Sequence, residues 1–232
     1  ESANYRAANN IELKINSLRQ DGLENHKAEL KGVEEFAIEC SIIKVATSED
    51  IQNCADDGIQ IFGGMGFSAD TPMESAWRDA RIGRIYEGTN EINRMLSVGM
   101  LFKRSMKGEL DLMSQFIKIS SEKSDRASEE KVEINQILSE EKQKIKNMKK
   151  VFLMISGHAF QKYGQELNNN QQVLIGLSNI MIEIYFSESA LLRTIKNHKS
   201  GMNMEYQIDM TRLYVFEAVE ITLKSSKEII AN

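Results

Sequence analysis

The chain of 232 residues has one proline, Pro72, one tryptophan, Trp77, and two cysteines. So little proline leaves long segments free to run as helix, because proline removes a backbone donor and clashes with the preceding turn. Two cysteines are too few for the framework of a disulfide-stapled domain. Cys40 and Cys54 have no paired spacing and read as buried thiols of a reducing compartment. The three histidines, His26, His158 and His198, lie far apart, and no HxxxH or CxxC spacing occurs, so no metal is assigned. No run of about 18 apolar residues is uninterrupted, and the start is not a signal peptide. A net charge of −5 lacks the basic footprint of a nucleic-acid binder.

What is present is ordinary for a globular protein, with 41% hydrophobic and 27% charged residues. This length can bury a sizeable core, as one large domain or two small ones. The chain starts without Met and partway into an apparent helix, which reads as a fragment or processed product.

Helix follows helix along the sequence. Ala8, Ile11, Ile15 and Leu18 make one face of a helix over Tyr5–Arg19, stopped by Asp21-Gly22. A second helix is expected over His26–Ala46, with Leu30, Val33, Ala37, Cys40 and Ile43 on its apolar side. Thr47 or Ser48 is expected to cap a third, with Asp50 as the capping-box acid. Pro72 suits the first position of a short helix to Ala80, and Asn90–Met106 reads as the next. After Leu112 the composition shifts. Ser120–Lys150 is rich in Ser, Glu and Lys, acids first and lysines later, an order that suits a helix dipole. It reads as a solvated face, although Lys142, Lys144, Lys146, Lys149 and Lys150 form a patch that an acidic membrane surface would attract. Ile134, Leu138, Ile145, Met148, Phe152, Ile155 and Ala159 keep an apolar seam interrupted by Glu141. Asn168–Asn170 is a turn, and helices over Gln172–Lys196 and Glu205–Ile230 complete an antiparallel hairpin or three-helix unit. The fold class is all-α: a helical bundle followed by a helical extension, divided as residues 1–110 and 111–232.

One stretch breaks the pattern. Gln60–Arg94, QIFGGMGFSADTPMESAWRDARIGRIYEGTNEINR, holds the closely spaced glycines, the proline and the tryptophan. Irregular backbone on a rigid helical scaffold is where binding and chemistry concentrate. Glu87 is followed by Gly88, whose backbone freedom lets a ligand come close. A carboxylate there can serve as a general base if burial raises its pKa. It can equally be a capping acid at a helix start, with Thr89 or Asn90 as the cap. Gly63-Gly64-Met65-Gly66 follows an apparent helix, so it is not a dinucleotide fingerprint, though its N–H groups could cradle phosphate.

Taken together, QIFGGMGF and WRDARIGRIYEGTNEINR resemble the C-terminal signature of the acyl-CoA dehydrogenase family. Upstream helices extend the resemblance. Beyond Leu112, GLSNIMIEIYFSESALLR and its surroundings resemble the C-terminal helical extension of very-long-chain-type members. The resemblance implies a flavoprotein with FAD, an acyl-CoA substrate and an electron-transfer flavoprotein as electron acceptor in fatty-acid β-oxidation. It makes Glu87 the base that removes the α-proton of the thioester, as a hydride leaves the β-carbon for the flavin. The Glu87 backbone N–H and a flavin ribityl hydroxyl would hold the enolate oxygen. Gly88 would let the substrate pass. Thr89, Asn90 and Glu91 would touch FAD, and Gln60, Ile61, Phe62, Gly63 and Gly64 would meet the FAD of a neighbouring subunit in a homodimer. Glu91 stands where many members have Gln. The flavin-holding β-domain, the N-terminal domain and the first part of the bundle have no counterpart here, so this chain alone is expected to be inactive. Expected locations are the cytoplasm in a bacterium, and the mitochondrial matrix or inner-membrane surface in a eukaryote. The alternative is a non-catalytic helical module for dimerisation or for binding a membrane or partner.

Overall fold

A computed structural model describes residues 1–121 and 137–232. Ile134, one member of the expected seam, lies outside the described residues. The described residues form ten α-helices and one 3-10 turn, with no strand among them. They are α1 (Ser2–Gln20), α2 (Asn25–Glu35), α3 (Ala37–Phe62), α4 (Gly64–Phe67), α5 (Pro72–Ile82), α6 (Asn90–Met106), α7 (Leu112–Ser121), α8 (Ser139–Tyr163), α9 (Gln171–Lys199) and α10 (Glu205–Ala231), with the 3-10 turn at Gly164–Asn169. The all-α expectation is correct.

α9 is the axis of the packing. Its Leu177 and Ile180 join Phe152, Ile155 and Ala159 of α8, Ile229 of α10 and Val98 of α6 in one buried cluster. Ile182 packs with Ile42, Val45 and Ala46 of α3, and Leu191 with Ile145 of α8 and Val215 of α10. Small residues let the helices approach: a Cβ on Gly176 would lie 2.9 Å from Ile229 Cγ1. Buried hydroxyls pair across the same contacts, Ser97 with Ser178 at 3.0 Å and Thr194 with Thr211 at 3.0 Å, which removes the cost of leaving them unsatisfied. α9 has the length and apolarity to cross a membrane, yet half of its most apolar window is buried within the protein. α8, α9 and α10 form the expected three-helix unit, and Asn170 caps α9 by accepting from the Val173 N–H at 3.2 Å.

Four local expectations need correction. The break between the second and third helices falls at Phe36, not at Thr47. Arg104 of α6 fixes it there, donating to the Glu35 carbonyl at 2.9 Å and the Glu35 carboxylate at 2.6 Å. Thr47 and Ser48 spend their hydroxyls inside α3, on Ile43 O at 2.7 Å and Val45 O at 3.0 Å, and cap nothing. Because the helix restarts at Ala37, the buried stripe is Ile38, Ile42 and Val45, while Leu30 is 70% and Val33 50% exposed. Against α1, α2 buries Ala28 and Gly32 instead, and a Cβ on Gly32 would lie 2.3 Å from Ile15 Cγ1. On α1 the buried positions are Ala3 and Ala7, with Ala8 facing water. Cys40 and Cys54 are exposed on the outer side of α3, not buried.

Among the lysines of the basic run, Lys144 pairs with Glu141 at 3.7 Å and Lys149 with Glu188. Leu177→Ala empties the centre of the α8–α9–α10 core and is expected to cost about 2–5 kcal/mol of stability. Leu192→Ala, at a position 50% exposed, should cost far less. Chemical denaturation of the two variants checks the contrast.

Candidate functional site

The loop between α5 and α6 is short and closed by its own backbone, the Asn90 N–H donating to Arg84 O at 3.1 Å. Inside it two consecutive residues take left-handed backbone, Glu87 at φ 56° and Gly88 at φ 83°. Gly88 tolerates this freely, and a Cβ there would lie 3.1 Å from Asn93 Nδ2. For Glu87 it is strained backbone, of about 1–3 kcal/mol, which persists only where the surroundings enforce it. The enforcing groups are visible. Asn93 Nδ2, one turn into α6, donates to Gly88 O at 2.7 Å and Thr89 O at 3.2 Å. Lys44 Nζ, from α3, donates to the same Gly88 O at 2.8 Å. Thr89 caps α6, its Oγ1 accepting from the Ile92 N–H at 3.3 Å, so the capping reading of this segment also holds.

Behind the loop lies a polar network. Asn90 is fully buried, and its Oδ1 accepts from Lys44 Nζ at 2.8 Å and Ser48 Oγ at 3.2 Å. Its Nδ2 donates to Glu49 Oε1 at 3.1 Å. Arg94 holds Glu49 with two bonds of 2.7 Å, and its Nε reaches Asn179 of α9 at 2.8 Å. Burial alone would raise the Glu49 carboxyl, but the bonds and charge of Arg94, with Asn90, outweigh it and hold the group below its ordinary range. Burial lowers the Lys44 ammonium, against the charges of Glu91, Glu49 and Glu87. Glu91 is held low by its own backbone N–H, then by Thr89 and the nearby arginines, against some desolvation.

On the solvent side, Lys44, Ser48 and Ile51 of α3, Ala80 of α5, and Tyr86 and Glu87 of the loop line an open cleft of about 290 Å³. Glu87 is exposed at its mouth. Among the described residues, no acceptor takes the backbone N–H of Glu87 or Gly88. Glu87, with a carboxylate and an unpaired N–H, and the fixed ammonium of Lys44 thus line one opening.

The other sequence-predicted residues are elsewhere. Gln60, Ile61, Phe62, Gly63 and Gly64 are all exposed at the far end of α3. Sixteen residues at 1.5 Å each place Gln60 about 24 Å along the helix from Lys44. Gly63 turns the chain at φ 60°, and Gly66 packs so closely that a Cβ would lie 2.7 Å from Ile59 O. The structure therefore groups Glu87, Gly88, Thr89, Asn90 and Glu91 in one place and Gln60–Gly64 in another. Sequence reasoning missed Lys44, Glu49, Asn93 and Arg94. The last two stand in the quoted signature and could have been singled out; Lys44 arrives from 44 residues away, and nothing local announces it.

Two family models, each described as "Acyl-CoA dehydrogenase, C-terminal domain", match residues 6–100 and 147–232. A "Probable acyl-CoA dehydrogenase" of Bacillus subtilis (strain 168) is 35% identical over 234 residues, covering 100% of this chain and 39% of the relative. The mitochondrial "Very long-chain specific acyl-CoA dehydrogenase" of Rattus norvegicus is 46% identical over 65 residues, 28% of this chain and 10% of the relative. A crystal structure of an acyl-CoA dehydrogenase complexed with FAD from Bacillus anthracis superposes with a TM-score of 0.90 at 35% identity, over 99% of this chain and 39% of that one. The chain thus spans well under half the length of these relatives.

One further perturbed group lies outside the cleft, on α9 just beyond Asn179. Burial pushes the Glu183 carboxyl up to about 7; Tyr214 and Arg94 counter it, while Asp50 and Glu217 add to it. The folded protein therefore holds a proton on Glu183 between about pH 4.5 and 7 that the unfolded chain releases, so this site's contribution falls as pH rises through that window. Glu183→Gln, which cannot ionise, should flatten that part of the stability–pH curve and raise the melting midpoint at pH 8. Thermal melts of both proteins across pH 5 to 8 check the sign.

Proposed function

Because the chain belongs to the acyl-CoA dehydrogenase family, we propose that its Glu87 is the base that takes the α-proton of an acyl-CoA thioester. The observation that carries this is the left-handed Glu87–Gly88 turn, a strained conformation held by the side chains of Lys44 and Asn93 at the edge of a cleft. Strain persists at functional sites when it is part of what the site does. Here it sets the Glu87 carboxylate and the Glu87 N–H at one opening. A thioester α-proton is a weak acid, so its removal needs a base at one atom and a donor at the carbonyl oxygen where charge develops. Glu87 supplies both, the side chain as base and the main chain as donor. Gly88, without a side chain, leaves the approach open.

The residues present fit one edge of an FAD site. The cleft is no larger than the smallest ligand pockets, which start at about 300 Å³, so it cannot enclose a dinucleotide. Thr89, Asn90 and Glu91 are assigned to the flavin of their own subunit, Asn90 as the buried support of that edge, because its amide and its backbone N–H are both committed internally. Gln60–Gly64, exposed and remote from Glu87, are assigned to the FAD of the partner in a homodimer. When bound, FAD accepts the hydride equivalent that leaves the β-carbon. Re-oxidation by an electron-transfer flavoprotein, and a cytoplasmic or mitochondrial-matrix location, belong to the same proposal. The 232-residue chain by itself is proposed neither to retain FAD tightly nor to turn over substrate.

A second reading, a helical assembly module, is favoured by the apolar outer face of α10, where Tyr206, Met210, Leu213 and Phe216 are 80%, 68%, 60% and 57% exposed. Light scattering of the chain tests it, and a clean monomer at high concentration would count against it.

In the intact flavoprotein that carries this chain, Glu87→Gln should leave flavin bound and slow its reduction by acyl-CoA at least about 10²- to 10⁴-fold, the usual contribution of a positioned base. Anaerobic bleaching of the flavin reads the rate directly. Reduction at the parental rate removes Glu87 from the role.

A further inference from the structure

We propose that Lys44 is the positioning residue of the base: by holding the Gly88 carbonyl it keeps Glu87 in the left-handed conformation that the reaction needs. The inference rests on the reading of Glu87 as the base, and it concerns a residue that no local pattern in the sequence marks.

The argument begins with backbone sterics. A non-glycine residue at φ 56° relaxes to negative φ unless its neighbours prevent it. Asn93 reaches the Glu87 carbonyl of the peptide shared by the two left-handed residues, at 3.4 Å, and the Gly88 carbonyl on the next peptide sets how the chain leaves the turn, so holding that oxygen closes the turn from its far side. Two donors converge on it. Asn93 at 2.7 Å belongs to α6, the helix that the loop itself begins, and moves with the loop. Lys44 at 2.8 Å belongs to α3 and is the external reference.

Lys44 is fixed in its turn. A second of its three donors goes to Asn90 Oδ1 at 2.8 Å, and Asn90 is buried and tied to Ser48 and Glu49 of the same helix α3. A lysine on an open surface would spread over many rotamers; this one is pinned by two acceptors. It also lines the cleft beside Glu87, so its charge faces the carboxylate whose backbone it holds. Lys44 does not itself exchange a proton with substrate in this account. Its contribution is to geometry, and a base misplaced by about 1 Å costs on the order of 10²-fold in rate.

The test uses the intact flavoprotein with Lys44→Met, Lys44→Arg and Glu87→Gln. Lys44→Met should keep flavin content and acyl-CoA affinity and lower the single-turnover rate of flavin reduction roughly 10- to 100-fold. Lys44→Arg, which keeps charge and donors, should recover most of it. Lys44→Met at the parental rate beside an inactive Glu87→Gln overturns the role of Lys44 alone. An active Glu87→Gln overturns the reading of Glu87 instead. A second measurement covers the case in which Lys44→Met no longer retains flavin. Backbone couplings and chemical shifts of Glu87 and Gly88 in the 232-residue chain should report left-handed φ in the parent and its loss in Lys44→Met. A left-handed Glu87 in Lys44→Met overturns the proposal.

Discussion

The guanidinium of Arg94 is where the structure is tied together. It grips Glu49 of α3 with two bonds and Asn179 of α9 with a third, so three helices meet on one side chain of α6. Everything at the site follows from that placement. With α6 fixed against α3, Thr89 caps it, Asn90 is buried between them, and Lys44 comes within reach of the Gly88 carbonyl. The strained turn at Glu87 is then determined by its surroundings. The planar fork of arginine suits this junction because it satisfies two partners in fixed directions at once.

The same tie joins the two matched segments of the chain. Asn179 belongs to the helix at the centre of the α8–α9–α10 core, and Val98 of α6 is buried in that same core. α9 therefore backs the loop that carries Glu87, through the Arg94–Asn179 and Ser97–Ser178 hydrogen bonds and one shared apolar cluster. The half-buried Glu183 next along α9 lies near Arg94 and outside the cleft, and it bears on stability and its pH dependence.

Much of the site was legible in the sequence because its elements are local. The pair Glu87-Gly88, the cap at Thr89 and the helix from Asn90 occupy adjacent positions, and the glycines and proline mark where helices stop. The helical extension was legible through the seam from Leu138 to Ala159. What was hidden depends on contacts distant in sequence. The break at Phe36 is set by Arg104, which no helical period reports, and the real apolar stripe of α3 follows from it. Lys44 reaches the Gly88 carbonyl from 44 residues away, and no local pattern marks it. The restart at Ala37 also turns Cys40 outward; for Cys54 the expectation of burial rested on composition alone, which does not report which face of a helix packs.

The central claim is that a carboxylate held in a left-handed turn removes a proton from carbon next to a thioester. It is tested most directly by exchange with solvent, which separates proton removal from oxidation. The intact flavoprotein is incubated in deuterated water with an acyl-CoA thioester that has no transferable hydrogen at its β-position. The account predicts that deuterium enters the α-position in the parent and not when residue 87 is glutamine. Equal incorporation in both, or none in an otherwise active parent, would contradict it.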